Sequence, residues 1–366
     1  MTGHSSGVLA IERDLGLLTN IRMGVEIAVG LAHLTNRRLS MPFEQSVPPA
    51  PRSSIADVDR GRPATVLDLL ELPVEIVVPE EAAEVAALRT HTIGWPSFGH
   101  LVCVADGEVD PSDPRLMDFA NGRTTFVRPP ISDAPVVAIS GRPLGFYSYF
   151  FFASPALRRR LHAVIRAVRP RRPYVELGAR ISHDLGTFHA LHLRHSDLTI
   201  GIPAYRDVTG GDIATTVARL IPNDEVLLVC SEVDGRDELF DPLRRRFDRI
   251  VFANDLILGD HRDAFMSLPR HEDNVLGIIT QEVATRAASF VGTIGSTFTA
   301  MIQRQRLVRD PTERFRYTAD YTPKGPVFRD GEFLEIGDGC YSWNRIGYAM
   351  APDTLSWFRE WPEAAW

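Results

Sequence analysis

Residues 289–306 read SFVGTIGSTFTAMIQRQR, and this stretch decides the fold because it joins an apolar strand, a turn of glycines and hydroxyls, and a helix. Gly292 and Gly295 carry no side chain, so backbone N–H groups can approach an anion there, at the point where a helix begins. Ser296 or Thr297 can cap that helix. The pattern predicts a phosphate-binding turn. An ordinary strand-to-helix turn of an α/β protein uses the same residue types, so that interpretation stays open at this point.

A second stretch, residues 188–197, reads FHALHLRHSD and predicts a buried strand that carries polar side chains at its C-terminal end. These side chains are His192, Arg194 and Asp197, and ligands of open α/β sheets bind at the C-terminal ends of strands. The guanidinium of Arg194 can hold two phosphate oxygens and stabilise the charge of a departing nucleoside diphosphate. The alternative is a surface ion pair between Arg194 and Asp197.

The composition excludes several classes of protein. A chain of 366 residues with 44% hydrophobic residues is long enough for two domains. The net charge of −7 gives no indication of nucleic-acid binding, and no apolar run approaches the length that spans a bilayer. The N-terminal residues do not resemble a secretory signal. The three scattered cysteines fit neither a disulfide framework nor a zinc site, so we expect a reducing compartment, the cytoplasm.

The hydrophobic pattern predicts an α/β fold with helices on both faces of a parallel sheet. Helices and wholly apolar strands alternate most regularly after the prolines at 170 and 173. The helices are predicted at 175–185, 212–220, 236–247 and 275–287, and the strands end at Arg194 or span 225–230, 249–252 and 289–292. In the first half we predict a helix within 16–42, a strand near 74–78, and less regular sequence out to residue 143.

Three motifs in this order resemble the GDP-fucose protein O-fucosyltransferase family. The first is GLLTNIR, residues 16–22; the second is His192-Leu-Arg194 with nearby Asp197; the third is Ser-Thr-Phe at 296–298. The chain is similar to a bacterial-type member. The resemblance implies a GT-B type fold of two facing Rossmann-like domains. They would be an acceptor-side domain at 1–168 and a GDP-sugar domain at 169–348, followed by a C-terminal helix at 349–366 that packs on the body.

The resemblance also implies roles for individual residues. Arg194 would bind the phosphates and, with Asn20 from the N-terminal domain, form the catalytic pair. Glu232 and Asp234 follow a predicted strand, and a carboxylate there would recognise guanine or ribose. The other residues expected to contact the donor nucleotide are His192, Asp197, Gly295, Ser296, Thr297 and Phe298.

The implied activity is the inverting, metal-independent transfer of fucose, or a related sugar, from a GDP-sugar to a hydroxyl acceptor. The acceptor would belong to a small molecule, glycan or peptide, and no cofactor or metal is expected. The sequence departs from the family at Leu17, where some members carry a glutamate as general base. A catalytically silent nucleotide-sugar-binding protein therefore stays open as an alternative. A tailoring glycosyltransferase that uses another nucleotide-sugar is a separate alternative.

Overall fold

The computed structural model of the chain describes residues 7–11, 17–41, 64–94, 100–104, 124–127, 133–140, 148–152, 160, 163–195, 208–293 and 296–309. They form an α/β protein, which confirms the predicted fold class. The described residues up to Arg171 belong to one compact unit, and those from Arg172 onward belong to a second. The helix predicted at 349–366 lies outside the described residues, and the facing arrangement of the two domains stays a prediction.

The first unit contains a parallel four-stranded sheet in the order β2-β1-β7-β4, a parallel three-stranded sheet in the order β6-β5-β8, and an antiparallel pair, β3 and β9. Its strands are β1 (Val8–Ile11), β2 (Arg38–Ser40), β3 (Leu70–Glu71), β4 (Thr90–Gly94), β5 (His100–Val104), β6 (Thr124–Val127), β7 (Val136–Ser140), β8 (Ser148–Phe152) and β9 (Arg169–Pro170). Its helices are α1 (Leu18–Leu34), α2 (Val66–Leu69) and α3 (Ala82–Ala86). Strand β1, helix α1 and parallel strand β2 form the β-α-β unit that opens a Rossmann-like domain.

The second unit is built on a parallel sheet in the order β12-β11-β10-β13. Its strands are β10 (Phe188–Leu193), β11 (Val226–Ser231), β12 (Arg249–Phe252) and β13 (Phe290–Gly292). All six residues of β10 are buried, because β11 and β13 flank this strand and the sheet is covered on both faces. In register, His192 lies beside Gly292 on one side and beside Cys230 on the other.

The helices of the second unit are α4 (Arg172–Leu185), α5 (Gly210–Leu220), α6 (Asp241–Arg244), α7 (Ala253–Asp255), α8 (Arg262–Met266), α9 (Asp273–Ala284) and α10 (Thr297–Arg309). Helices α4 and α9 pack closely at Gly178, where a Cβ would lie 2.6 Å from Cβ of Glu282. The buried Arg306 of α10 donates to the carbonyl of Ala287 at 2.5 Å, just beyond the C-terminus of α9. These contacts hold α10, and with it the turn before it, against the body of the unit.

Three predictions about the elements were wrong. The helix predicted at 236–247 is a 3₁₀ turn, Glu238–Phe240, followed by the short α6, because Pro242 favours a new helical start at Asp241. Residues 74–78 contribute only an isolated bridge between Ile76 and Leu39. The part predicted to be less regular contains four short strands, β4, β5, β6 and β7, each of four or five residues. Strand β1 was not predicted, although its sequence, VLAI, is a short apolar run before a turn and a helix.

Candidate functional site

The C-terminal edge of the second sheet has a topological switch point between β10 and β13. The chain proceeds from β10 to β11 and then β12 on one side, whereas β13 pairs with β10 on the other side. Loops that leave two neighbouring parallel strands in opposite directions open a crevice, which is where α/β proteins bind ligands. Arg194 follows β10 directly, and the residues from Thr293 to Thr297 follow β13. The switch point therefore lies where the two diagnostic stretches of sequence meet.

The N-terminus of α10 has the properties of an anion site. Ser296 and Thr297, at the beginning of this 13-residue helix, are 3% and 5% exposed. The Ser296 Oγ atom is buried and has no hydrogen-bond partner within the described part of the chain. A buried hydroxyl without a partner costs free energy, which a bound oxyanion would recover, and the first N–H groups of the helix favour negative charge. Gly295 lies outside the described residues.

His192 connects β10 to α10. Its Nδ1 atom is hydrogen-bonded to Thr299 Oγ1 at 2.7 Å, and its ring stacks on Phe298 with the ring centroids 4.6 Å apart. Burial, and after it the positive charge of Arg194, together lower the pKa of His192 from 6.5 to about 3. The imidazole is therefore neutral, and it positions the first turn of α10 rather than adding a charge to the site.

We expect His192 to remain neutral throughout the physiological pH range. Because its pKa is depressed in the folded protein, the folded state binds fewer protons than the unfolded chain between the two pKa values, about 3 and 6.5. The contribution of His192 to stability is thus complete above pH 6.5 and is lost as the pH falls through that window. NMR titration of histidine-labelled protein, with His192 assigned by His192→Gln, measures this. A His192 titration near pH 6.5 would contradict the burial argument, and Arg194→Ala should raise the pKa.

Arg194 is partly buried, and its backbone is held by the loop after β13. The N–H of Arg194 donates to Thr293 Oγ1 at 3.0 Å, and the same hydroxyl donates to the carbonyl of His192 at 2.9 Å. Neither Thr293 nor Thr299 was among the site residues predicted from the sequence. Each of these hydroxyls contacts a residue about a hundred positions earlier in the chain.

The two acidic residues after β11 are used differently. Glu232 Oε1 accepts the backbone N–H of His195 at 2.7 Å, so this oxygen holds the segment that carries Arg194. Asp234 is exposed, and its Oδ1 atom accepts the backbone N–H of Arg236 at 2.8 Å. This backbone hydrogen bond, followed by that from the Arg236 side chain, lowers the pKa of Asp234. Both carboxylates lie on the loop after β11, which neighbours β10 in the sheet. Their contact with a nucleotide stays a prediction.

Asn20 lies in the first turn of α1, in the first unit, and Asp197 lies outside the described residues. Two residues later, Arg22 and Glu26 form a buried ion pair at 3.3 Å, and Arg22 Nη2 donates to the carbonyl of Val168 at 3.2 Å. Glu26 is therefore an internal partner of Arg22.

A hydrogen-bonded chain at the opposite edge of the sheet was not predicted. His189 Nδ1 lies 2.5 Å from Ser289 Oγ, and its Nε2 lies 2.6 Å from Glu225 Oε2. His189 is near the N-terminal end of β10, whereas Arg194 follows the C-terminal end, so these hydrogen bonds connect three neighbouring strands at the edge away from the switch point.

Within the described ranges, no group of three or more His, Cys, Asp and Glu residues could hold a metal ion. No helix in the described part of the chain is long and apolar enough to cross a membrane.

Solved structures provide the comparison for this fold. The structure of POFUT1 in complex with GDP has 14% sequence identity to the chain and a TM-score of 0.50, and the match covers 86% of this chain and 98% of that one. POFUT1 is a GDP-fucose protein O-fucosyltransferase, so the predicted resemblance is confirmed at the level of the fold.

Two further similarities have lower scores. A mutant of FUT1 from Arabidopsis thaliana in complex with GDP has 10% identity and a TM-score of 0.42, covering 86% of this chain and 71% of that one. The fucosyltransferase NodZ from Bradyrhizobium has 12% identity and a TM-score of 0.42, covering 82% and 93%. The sequence matches no protein-family model and no curated protein. The fold assignment therefore rests on the likeness to POFUT1.

Proposed function

We propose that the protein is a glycosyltransferase that binds a GDP-sugar, GDP-fucose or a related donor, at the switch point between β10 and β13. The observation that carries the proposal is the buried Ser296 Oγ, which has no hydrogen-bond partner among the described residues. Ser296 directly precedes α10 and follows β13, the strand that pairs with β10, and Arg194 follows β10. Together they offer a hydroxyl, helix N–H groups and a guanidinium to a diphosphate. The shared fold with POFUT1, which was solved with GDP, supports the same ligand class.

The proposed reaction is an inverting transfer in one displacement. An acceptor hydroxyl oxygen forms a bond to the anomeric carbon of the sugar while the bond from that carbon to the β-phosphate oxygen breaks. The electron pair of the breaking bond goes to GDP, and the hydroxyl proton ends on the departing phosphate. Leu17 stands where some family members have a glutamate that acts as the general base. A late transfer of the acceptor proton to the departing phosphate therefore suits this chain.

The proposed mechanism requires no metal, because protein groups neutralise the charge that develops on the diphosphate. Arg194 has a permanent charge and a bidentate donor geometry, which makes it the principal group. The N-terminus of α10 adds its N–H groups. His192 is neutral and therefore adds no positive charge to that of Arg194. Preorganised donors of this kind act most strongly at the atom where charge develops.

The acceptor and the compartment belong to the same proposal. The hydroxyl of a small molecule, glycan or peptide suits a chain that lacks the paired cysteines of secretory-pathway members. With three scattered cysteines in the sequence, the cytoplasm is the proposed location. Cys230, whose pKa burial raises to about 12, is a buried thiol that takes no part in this chemistry.

A second candidate is a nucleotide-sugar-binding protein without transferase activity. The apolar Leu17 favours this candidate, because a leucine side chain cannot take the proton from the acceptor hydroxyl. This candidate predicts donor binding without turnover, whereas the transferase predicts release of GDP from the donor in the presence of acceptors.

Calorimetric titration with GDP, GDP-fucose, UDP and ADP, with and without EDTA, tests the donor class. We expect GDP and GDP-fucose to bind with similar affinity in both buffers, since the proposed contacts are with the diphosphate and guanine and include no metal. Preferential binding of UDP or ADP would point instead to a tailoring glycosyltransferase with another donor. Absence of GDP binding, or its loss in EDTA, would contradict the proposal.

A further inference from the structure

The backbone that carries Arg194 is held by side chains from both neighbouring loops. On the β13 side, Thr293 Oγ1 accepts the N–H of Arg194 at 3.0 Å and donates to the carbonyl of His192 at 2.9 Å. The backbone N–H of Thr293 donates to that same carbonyl at 3.1 Å. Thr293 is completely buried. One hydroxyl thus closes a local link between the end of β10 and the loop after β13.

On the β11 side, Glu232 Oε1 accepts the N–H of His195 at 2.7 Å. A hydrogen bond from an N–H group to a carboxylate is stronger than one between neutral partners. Consecutive backbone N–H groups, those of Arg194 and His195, are therefore bound by side chains from opposite sides. We call Thr293 and Glu232 the strand-end clamp.

The strand-end clamp holds the backbone just beyond the last hydrogen bonds of the sheet. Strand β10 stops at Leu193, so the ladder that holds the preceding backbone does not extend to Arg194. A side chain on an unsupported loop has many orientations, and a displacement of about 1 Å at a reacting centre can cost on the order of 10²-fold in rate. Hydrogen bonds from the backbone N–H groups of Arg194 and His195 to these two side chains fix the position of the Arg194 Cα.

We infer that the strand-end clamp positions Arg194 for the transfer step, with the Thr293 hydroxyl as the principal positioning group. This inference rests on the proposed function. Thr293 acts through the backbone of Arg194, so its loss should lower kcat more than it raises the KM for the donor. A residue that only stabilises the fold would not separate the two constants in this way.

The test compares Thr293→Val, which has nearly the same shape but no hydroxyl, with Thr293→Ser, which retains it. We expect Thr293→Val to lower kcat by about 10- to 100-fold, with the KM for GDP-fucose changed by less than about threefold, and Thr293→Ser to restore most of the activity. Thr216→Val is the matched control, since Thr216 is 1% exposed and lies within α5. Wild-type kinetics in Thr293→Val would overturn the inference, as would an equal loss in Thr293→Ser.

A double variant tests whether Thr293 acts through Arg194. In an Arg194→Ala background, Thr293→Val should produce no further loss of activity, because the group that it positions is already absent. If the two losses multiply, Thr293 acts independently of Arg194 and the inference is wrong.

Hydrogen exchange separates failure of the clamp from failure of the proposed function. In Thr293→Val the Arg194 amide should exchange at least about tenfold faster than in the wild type, an effect corresponding to about 1.4 kcal/mol, whereas Thr293→Ser and Thr216→Val should leave it unchanged. If the wild-type protein transfers no sugar, the transferase proposal fails. The exchange rate still tests whether the Thr293 hydroxyl holds the backbone of Arg194. Unchanged exchange in Thr293→Val would overturn the clamp whatever the activity.

Discussion

Arg194→Ala is expected to reduce sugar transfer by at least about 10²- to 10³-fold, the effect of removing one group that stabilises charge in a transition state. The guanidinium would neutralise the leaving GDP, and the described residues offer Ser296 Oγ and the helix N–H groups as the remaining donors. GDP affinity should also fall, since the leaving group and the bound product carry the same diphosphate. The measurements are initial rates of GDP release from GDP-fucose and calorimetric titration with GDP.

Arg194→Lys should recover little of this activity, because an ammonium is a point charge and cannot present two parallel N–H donors. Arg180→Ala provides the control, since Arg180 is exposed on α4. Near-normal turnover in either Arg194 variant would remove this residue from its proposed role. Loss of turnover with unchanged GDP affinity would restrict its role to the transition state.

Gly292→Ala is expected to disrupt the fold at the site itself. A Cβ at this position would overlap the Thr299 side chain and lie 3.1 Å from Cε1 of Phe290. Because Thr299 is in the first turn of α10 and hydrogen-bonds His192, the helix start must move away from β13 to make room. We expect a loss of about 1–3 kcal/mol in the free energy of unfolding, which is typical of overpacking in a core, together with weaker GDP binding. Urea denaturation and calorimetry measure the two effects.

Gly259→Ala is the matched control for this experiment. Apart from its chain neighbours and the backbone of its own helix, no described residue has an atom within 4 Å of the Cβ that it would add, and Gly259 is exposed. The control variant should therefore retain both stability and GDP affinity. Wild-type stability and affinity in Gly292→Ala would show that α10 tolerates displacement from β13, and would contradict the argument that this helix start is held rigidly.

The second half of the fold could be predicted from the sequence because its strands are buried on both faces. Strands β10, β11 and β13 read as short apolar runs bounded by turn residues, and the helices between them have a clear apolar period. The first half was harder. Strand β4, with sequence THTIG, contains too few apolar residues to produce a pattern, and apolar strands such as β7 are only five residues long. The short elements at 238–244 depend on Pro242, whose effect a periodicity argument did not include.

The sequence by itself determined the local chemistry of the site: a strand that ends in an arginine, and a glycine- and hydroxyl-containing turn that leads into a helix. Strand order decided how those residues are used. Pairing of β10 with β13 brings Thr293 to Arg194 and Thr299 to His192, and pairing with β11 brings Glu232 to His195. Local patterns depend on neighbours along the chain, whereas these hydrogen bonds join residues 37 to 107 positions apart. Only the tertiary structure therefore separated the hydroxyls that hold the protein together from that of Ser296, which is buried without a hydrogen-bond partner among the described residues.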